Sequence, residues 1–405
     1  MIHTGRHFLQ IPGPTNVPDR VLRAMAQPVI DHRGPEFAGL GREVLAGMRG
    51  IFRTAGPVVI FPSSGTGACE AALVNTLSPG DRVLVFETGW FSHVPWRKVA
   101  GSLGLRVEYV PGTWRRGVAP GDVEARLTHD AQHAIKAVVV VHNETSTGVT
   151  SRLPEIRAAM DRAAHPALLI VDTISSLAST EYRHDEWRVD VAVGCSQKGL
   201  MVPPGLGFNA ISQKALAASA AATCARAYWD WRPMLESNRQ GFFTYTPATN
   251  LLYGLREALR MLEEEGMPNV LARHARHGEA ARAAVRAWGL DLVCEEPCEY
   301  SSALTAAMMP DGHDADRFRA LVLERFDMSL GTGLGALGGR AFRIGHLGAF
   351  NDLMLMGTLS GVELGLRAAG VPHRAGGVMA ALERRAPGPG RSRGRRSWSA
   401  RWRGP

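Results

Sequence analysis

The chain has 405 residues, 45% of them hydrophobic and 21% charged, and a formal net charge of +8. At about 150 residues per domain this length suggests two or three domains, and the ordinary composition excludes a collagen-like or wholly disordered chain. No run approaches the roughly 18 apolar residues of a membrane span, and the start MIHTGRHFLQIPGP lacks the apolar core of a secretory signal, so a cytoplasmic protein is expected.

An extended, proline-punctuated segment (IPGPTNVP, 11–18) opens the chain. Strand-like and helix-like stretches then alternate. PVVIF (57–61) reads as a strand, SSGTGA (63–68) as a turn, and CEAALVNTL as a helix ending at Pro79-Gly80. DRVLVFE (81–87) is a strand, followed by a helix near 93–103 and a strand at 105–111. IKAVVVVHNE (135–144), ALLIVD (167–172), VDVAVGCSQK (189–198) and GFNAIS (207–212) are further strands, with a helix at about 154–164. Continuous apolar strands separated by helices predict an α/β fold with a mostly parallel sheet covered on both faces, and ligands at the carboxyl ends of its strands.

NLLYGLREALRMLEEEG (250–266) repeats leucine at helical spacing and stops at Gly266, where a domain boundary is expected. A smaller C-terminal α/β domain follows: helix 268–288, strand 301–308, helix 314–326, strand 340–345 and helix 351–369. The resulting division is an N-terminal arm over 1–20, a large domain over 21–266, a small domain over 267–385 and a tail over 386–405. That tail holds six Arg and no acid, so the rest of the chain carries only +2. It cannot bury a core and is expected to be disordered. A nearly neutral body is not built as a nucleic-acid cleft, and a nucleic-acid role would rest on the tail alone.

The five cysteines (69, 195, 224, 294, 298) are scattered and odd in number, as in a reduced protein. Cys294 and Cys298 have no second Cys/His pair at zinc spacing, so no metal is expected. Only four residues are lysine: Lys98, Lys136, Lys198 and Lys214. Lys198 ends a buried strand in SQKG, whereas the other three read as surface residues. A lysine whose pKa is lowered by burial can form a Schiff base.

The turn SSGTGA between strand and helix exposes backbone N–H groups at a helix N-terminus, which suits a phosphate, although a ligand-free tight turn has the same pattern. Asp172 ends ALLIVD and either points into the ligand crevice or caps the TISS turn. A phosphate cradle, a carboxylate and a buried amine together are the three handles of pyridoxal phosphate. Asp172 would pair with the ring nitrogen, and Lys198 would carry the cofactor.

The motifs PGPTNVP, SGTGACEAAL, VVHNETSTGV, LLIVDTISSL, GCSQKGLMVPPGLG, YTPATNLLYGLREAL and FRIGHLG resemble those of the class V pyridoxal-phosphate aminotransferases, in particular the serine–glyoxylate and alanine–glyoxylate family. The resemblance runs from about residue 12 to about 380. It implies the fold type I architecture of pyridoxal-phosphate-dependent transferases and a homodimer with shared sites, with a tetramer left open. It also implies roles residue by residue. Ser64, Gly65, Thr66 and Gln197 hold the phosphate, and Thr145 reaches the phenolic side of the ring. Ile174 packs behind the ring, and Phe91, or its neighbour Trp90, stacks on its face. Tyr245 and Thr246 reach the phosphate of the partner subunit, and Arg343 of FRIG binds the substrate carboxylate. His346 is expected to be structural, and His32 and Arg33 to line the entrance.

The activity implied is transfer of the amino group of a small L-amino acid, serine first and alanine or aspartate as alternatives, to glyoxylate. A desulfurase or lyase would need a mobile cysteine near the ring. Gly333-Leu-Gly-Ala-Leu-Gly338 matches G-x-G-x-x-G, but a strand follows it instead of a helix, so it reads as a loop before Arg343 that could close on substrate.

Overall fold

A computed structural model describes residues 5–385; the basic tail over 386–405 lies outside the described residues. The strands in chain order are β1 (Phe8–Gln10), β2 (Val58–Ser63), β3 (Arg82–Phe86), β4 (Arg106–Val110), β5 (Ile135–Val141), β6 (Asn143–Glu144), β7 (Val149–Thr150), β8 (Leu168–Asp172), β9 (Val191–Cys195), β10 (Gly205–Ile211), β11 (Leu304–Met308), β12 (Met328–Thr332) and β13 (Ala341–Gly345).

Seven of them form the central sheet in the order β2-β10-β9-β8-β5-β3-β4. β3, β4, β5, β8 and β9 pair in parallel. β10 runs antiparallel to both β9 and β2, so β2 points the same way as β9. Alternate residues of each strand feed opposite cores. Val58, Ile60, Leu84, Val138, Val140, Leu169 and Val171 enter one, with the helices Pro35–Phe52 and Thr249–Glu265 packed on it. Val59, Phe61, Val83, Val85, Ala137, Val139 and Ile170 enter the other, beneath the helix Gly65–Thr76. Two apolar faces explain the unbroken Val/Ile/Leu runs, because each such side chain is worth roughly 1.5–3 kcal/mol when fully buried.

A second sheet has the order β1-β12-β13-β11 and carries its own core, which includes Trp288, Phe318, Phe342 and Leu359. The chain's first strand belongs to it: Phe8–Gln10 pairs in parallel with Met328–Leu330. The N-terminal segment, expected as an extended arm, therefore starts within the C-terminal layer. From there it crosses to the loop after β9, where Thr15 N donates to Gln197 O at 3.1 Å and Thr15 Oγ1 to Lys198 O at 3.1 Å. Among the described residues no helix is long and apolar enough to cross a membrane.

Candidate active site

Six strands of the central sheet point the same way, and five of them carry candidate residues at or past the ends on one rim. Ser64, Gly65 and Thr66 follow β2, Phe91 follows β3, Thr145 lies past β5, Asp172 closes β8 and Lys198 follows β9. The order of these positions along the chain has no local meaning; the parallel sheet gathers them.

Lys198 is 9% exposed, and its Nζ donates to the carbonyl oxygen of Pro12 at 2.6 Å. Burial lowers its pKa to about 8; the nearby Arg343 charge pushes the same way, while Cys195 and Asp172 oppose it. An amine held there is neutral often enough near neutral pH to act as a nucleophile or base. Lys98 and Lys136 are exposed, and the half-exposed Lys214 donates to Ala167 O at 2.7 Å. One lysine of the four is buried.

Asp172 is 3% exposed. Its Oδ1 accepts from Ile174 N at 2.9 Å and its Oδ2 from Trp96 Nε1 at 3.1 Å. Burial raises its pKa to about 6 against these two hydrogen bonds, with the Glu144 charge adding to the rise. Trp96 is fully buried and sits on a π-helical segment, Ser92–Lys98, within the stretch where a helix was expected. This tryptophan escaped the sequence reading, because nothing local marks an indole aimed at a carboxylate 76 residues away.

Arg343 extends from β13 of the second sheet toward the first. Its Nε donates to Thr332 O at 2.7 Å and its Nη1 to Thr145 O at 2.7 Å. The remaining guanidinium protons form a fork suited to a carboxylate. Burial lowers its pKa to about 10, which leaves it charged at neutral pH. Thr145 Oγ1 donates to Ser175 Oγ at 2.8 Å, and Ser175 Oγ donates to Asn143 O at 2.7 Å.

The residues around the first turn of helix Gly65–Thr76 fit a phosphate. Ser64 precedes the helix without capping it through its side chain, so the leading N–H groups are not met by Ser64 Oγ. A Cβ on Gly65 would collide with Ile174 Cδ1, so the glycine lets the turn close on the residue expected behind the ring. The buried Gln197 Oε1 has no protein partner, leaving a polar atom for a ligand to satisfy. Amine, carboxylate, guanidinium and cradle thus match the chemistry of pyridoxal phosphate.

Phe91 and Trp90 are both half-buried. Trp90 lies against Gly335, where an added Cβ would come within 2.8 Å of its Cε3 and 2.7 Å of Trp114. Gly333–Gly338 therefore packs on Trp90 at the start of the Phe91 segment, in no dinucleotide-binding context. Tyr245 and Thr246 are exposed, and Tyr245 stacks on Tyr228 with ring centroids 4.8 Å apart. The Tyr245 hydroxyl donates to Ala227 O at 3.1 Å.

His346 is fully buried, bonded to Thr305 Oγ1 and Ser302 O, and its pKa is pushed well below the usual range by burial. Cys195 is buried with its thiol pushed up to about 12, and Cys294 is pushed to about 12 as well, both by burial. These thiols are poor candidates for a desulfurase nucleophile.

A family model described as Aminotransferase class-V matches residues 7–333, and the chain belongs to that family. It is a pyridoxal-phosphate-dependent aminotransferase of fold type I. It is 46% identical over 383 residues to a serine–glyoxylate aminotransferase of Methylorubrum extorquens, covering 93% of this chain and 95% of the relative. It is 43% identical to an L-aspartate–glyoxylate aminotransferase of Paracoccus denitrificans, covering 94% and 96%. Among solved structures, the ureidoglycine–glyoxylate aminotransferase of Bacillus subtilis superposes with a TM-score of 0.87 at 29% identity, covering 95% of this chain and all of that one.

Proposed function

We propose that this enzyme moves the amino group of serine to glyoxylate, giving glycine and the 2-oxo acid derived from serine. The observation that carries the chemistry is the buried Lys198 amine, its pKa lowered to about 8, with the Arg343 and Asp172 charges acting on it. The choice of serine is supported by the likeness to serine–glyoxylate enzymes at 43–46% identity over nearly the whole chain. Steady-state rates with serine, alanine and aspartate against glyoxylate test it. Serine should give the highest kcat/KM, and parallel double-reciprocal lines are expected; a preference for aspartate would overturn the donor assignment.

Pyridoxal phosphate, when bound, supplies a carbonyl that accepts and returns the amino group and a ring that takes up the electrons of the α-carbon. The chain's own groups do the rest. Ser64, Gly65, Thr66 and Gln197 would hold the phosphate. Asp172 would hold a proton on the ring nitrogen, with Trp96 and the Ile174 N–H fixing its two oxygens. Ile174 would pack on one face of the ring and Phe91 on the other, since Trp90 is committed to Gly335. Thr145 would face the phenolic oxygen. Arg343 would grip the carboxylate shared by donor and acceptor, and Lys198 Nζ would take the α-proton and hand it back.

Tyr245 and Thr246 would serve the partner's phosphate in a cytoplasmic homodimer, a role that fits their exposure. A boundary at Gly266 between a large and a small domain is consistent with the separate core beneath the second sheet.

A further inference from the structure

Glu144 is a carboxylate that the scheme above leaves without a task. It is wholly buried at the end of β6. Its Oε1 accepts from Ser146 Oγ at 2.7 Å, Ser146 N at 3.0 Å and Phe91 N at 3.3 Å; its Oε2 accepts from Ser92 N at 3.0 Å. Every group facing it in these bonds donates, so the acceptor-only, ionised form is the one the shell fits. Burial pushes the carboxyl above its usual range and the four hydrogen bonds pull it back.

We propose that Glu144 is a positioning residue, a single joint that fixes the aromatic segment over the ring and the carbonyl on which the substrate-binding arginine rests. On one side it holds Phe91 and Ser92 by their N–H groups, at the start of the segment that carries Trp96 to Asp172. Ser146, which donates to Glu144, accepts from Trp90 N at 2.9 Å and extends the hold by one residue. On the other side, the next residue in the chain is Thr145, whose carbonyl accepts from Arg343. The Glu144 charge also acts on both Arg343 and Asp172, raising the pKa of each. Room for the joint comes from Gly89, where a Cβ would lie 2.5 Å from Glu144 Cγ and 2.7 Å from its Cδ. This carboxylate thus links the segment of Phe91 and Ser92 to the strand end that carries Thr145.

The inference rests on Phe91 and Arg343 having the roles proposed above. Its test uses the purified full-length holoenzyme. Glu144→Gln keeps the shape but turns one oxygen into a donor that faces donors. A charged hydrogen-bond set of this kind predicts about a tenfold or greater fall in cofactor affinity and an altered visible circular dichroism of the bound cofactor. The KM for glyoxylate should rise along with a fall in kcat. Ser146→Ala, which removes one donor to Glu144 and one acceptor for Trp90, should show the same signature at several-fold size, and it decides the question if Glu144→Gln does not fold. Trp288→Phe, which removes a 2.8 Å hydrogen bond to Glu363 in the distant C-terminal core, should lower the Tm without changing the cofactor signal. Wild-type dichroism and KM in Ser146→Ala and in any folded Glu144→Gln, with only a lower Tm, would overturn the proposal. If the wild type binds the cofactor but does not use serine and glyoxylate, the reading of the donor fails, and the dichroism and affinity still decide the role of Glu144.

Discussion

The amine of Lys198 donates to the carbonyl of Pro12, a residue 186 positions earlier in the chain. Pro12 follows directly on a segment that starts in the second sheet, since Phe8–Gln10 pairs with β12. The orientation of the reactive amine therefore depends on both layers. Neighbouring Gly13 makes the fit possible: its φ is +99°, and an added Cβ would lie 2.5 Å from Lys198 Nζ and 2.8 Å from Cε.

Gly13→Ala should leave the fold intact while displacing Lys198. Both the left-handed backbone and the collision act against the methyl group. At least a tenfold loss of cofactor affinity is expected, with far-ultraviolet dichroism unchanged. Spectral titration of the cofactor-free protein checks it, and wild-type affinity would contradict it.

Trp96→Phe removes the donor to Asp172 Oδ2 and keeps most of the ring volume. That hydrogen bond lowers the Asp172 pKa, so its loss should raise the pKa further. The acidic limb of the kcat profile should then move to higher pH than in the wild type, with about a tenfold lower kcat at pH 6, in line with about 1.5–3 kcal/mol for a hydrogen bond to a charged group. An unmoved limb would show that Trp96 only fills space.

Arg343→Lys should fail despite keeping the charge. A lysine ammonium cannot hold Thr332 O and Thr145 O and still present a planar fork. The KM values for glyoxylate and for the amino donor should both rise, with kcat/KM falling about a hundredfold, or roughly 3 kcal/mol, because one guanidinium serves both substrates. A change in only one KM would contradict shared use of the site.

Asp172→Asn should abolish one pH dependence of stability in the cofactor-free protein. Asp172 has a folded pKa of about 6, above the ordinary value of 3.8. Between these two values the folded chain holds a proton that the unfolded chain has lost, so this group's contribution falls as pH rises through that window. The variant lacks the effect. Its stability relative to the wild type should rise by about 2 kcal/mol between pH 4.5 and 7, on top of a constant offset from presenting an amide to two donors. Urea unfolding at the two pH values measures the difference, and a constant offset alone would contradict the shift.

The central strands were legible in the sequence because their burial on two faces leaves unbroken apolar runs. Lys198 stood out because lysine is scarce here and its surroundings are apolar. What went unread depends on distance along the chain or on local conflict. Trp96 and Pro12 meet their site partners across 76 and 186 residues, and only the folded sheet brings them together. β1 has three residues and pairs with a strand near residue 328, so it carries no pattern of its own. The helix Pro35–Phe52 was missed because four glycines dilute its helical signal, each costing up to about 1 kcal/mol relative to alanine. Two of those glycines admit close neighbours: Gly41 abuts the Gly241 carbonyl and Gly47 the Leu259 side chain. Phe37, Leu40, Val44, Met48 and Phe52 still bury one face, and that packing outweighs propensity.

The central claim is that Lys198 is the one amine that holds the cofactor. Borohydride reduction of the holoenzyme followed by peptide mapping tests it most directly, since only four lysines can carry the label. The account predicts a phosphopyridoxyl group on Lys198 alone and no visible cofactor band in Lys198→Ala. Label on Lys98, Lys136 or Lys214, or a persistent band in that variant, would contradict it.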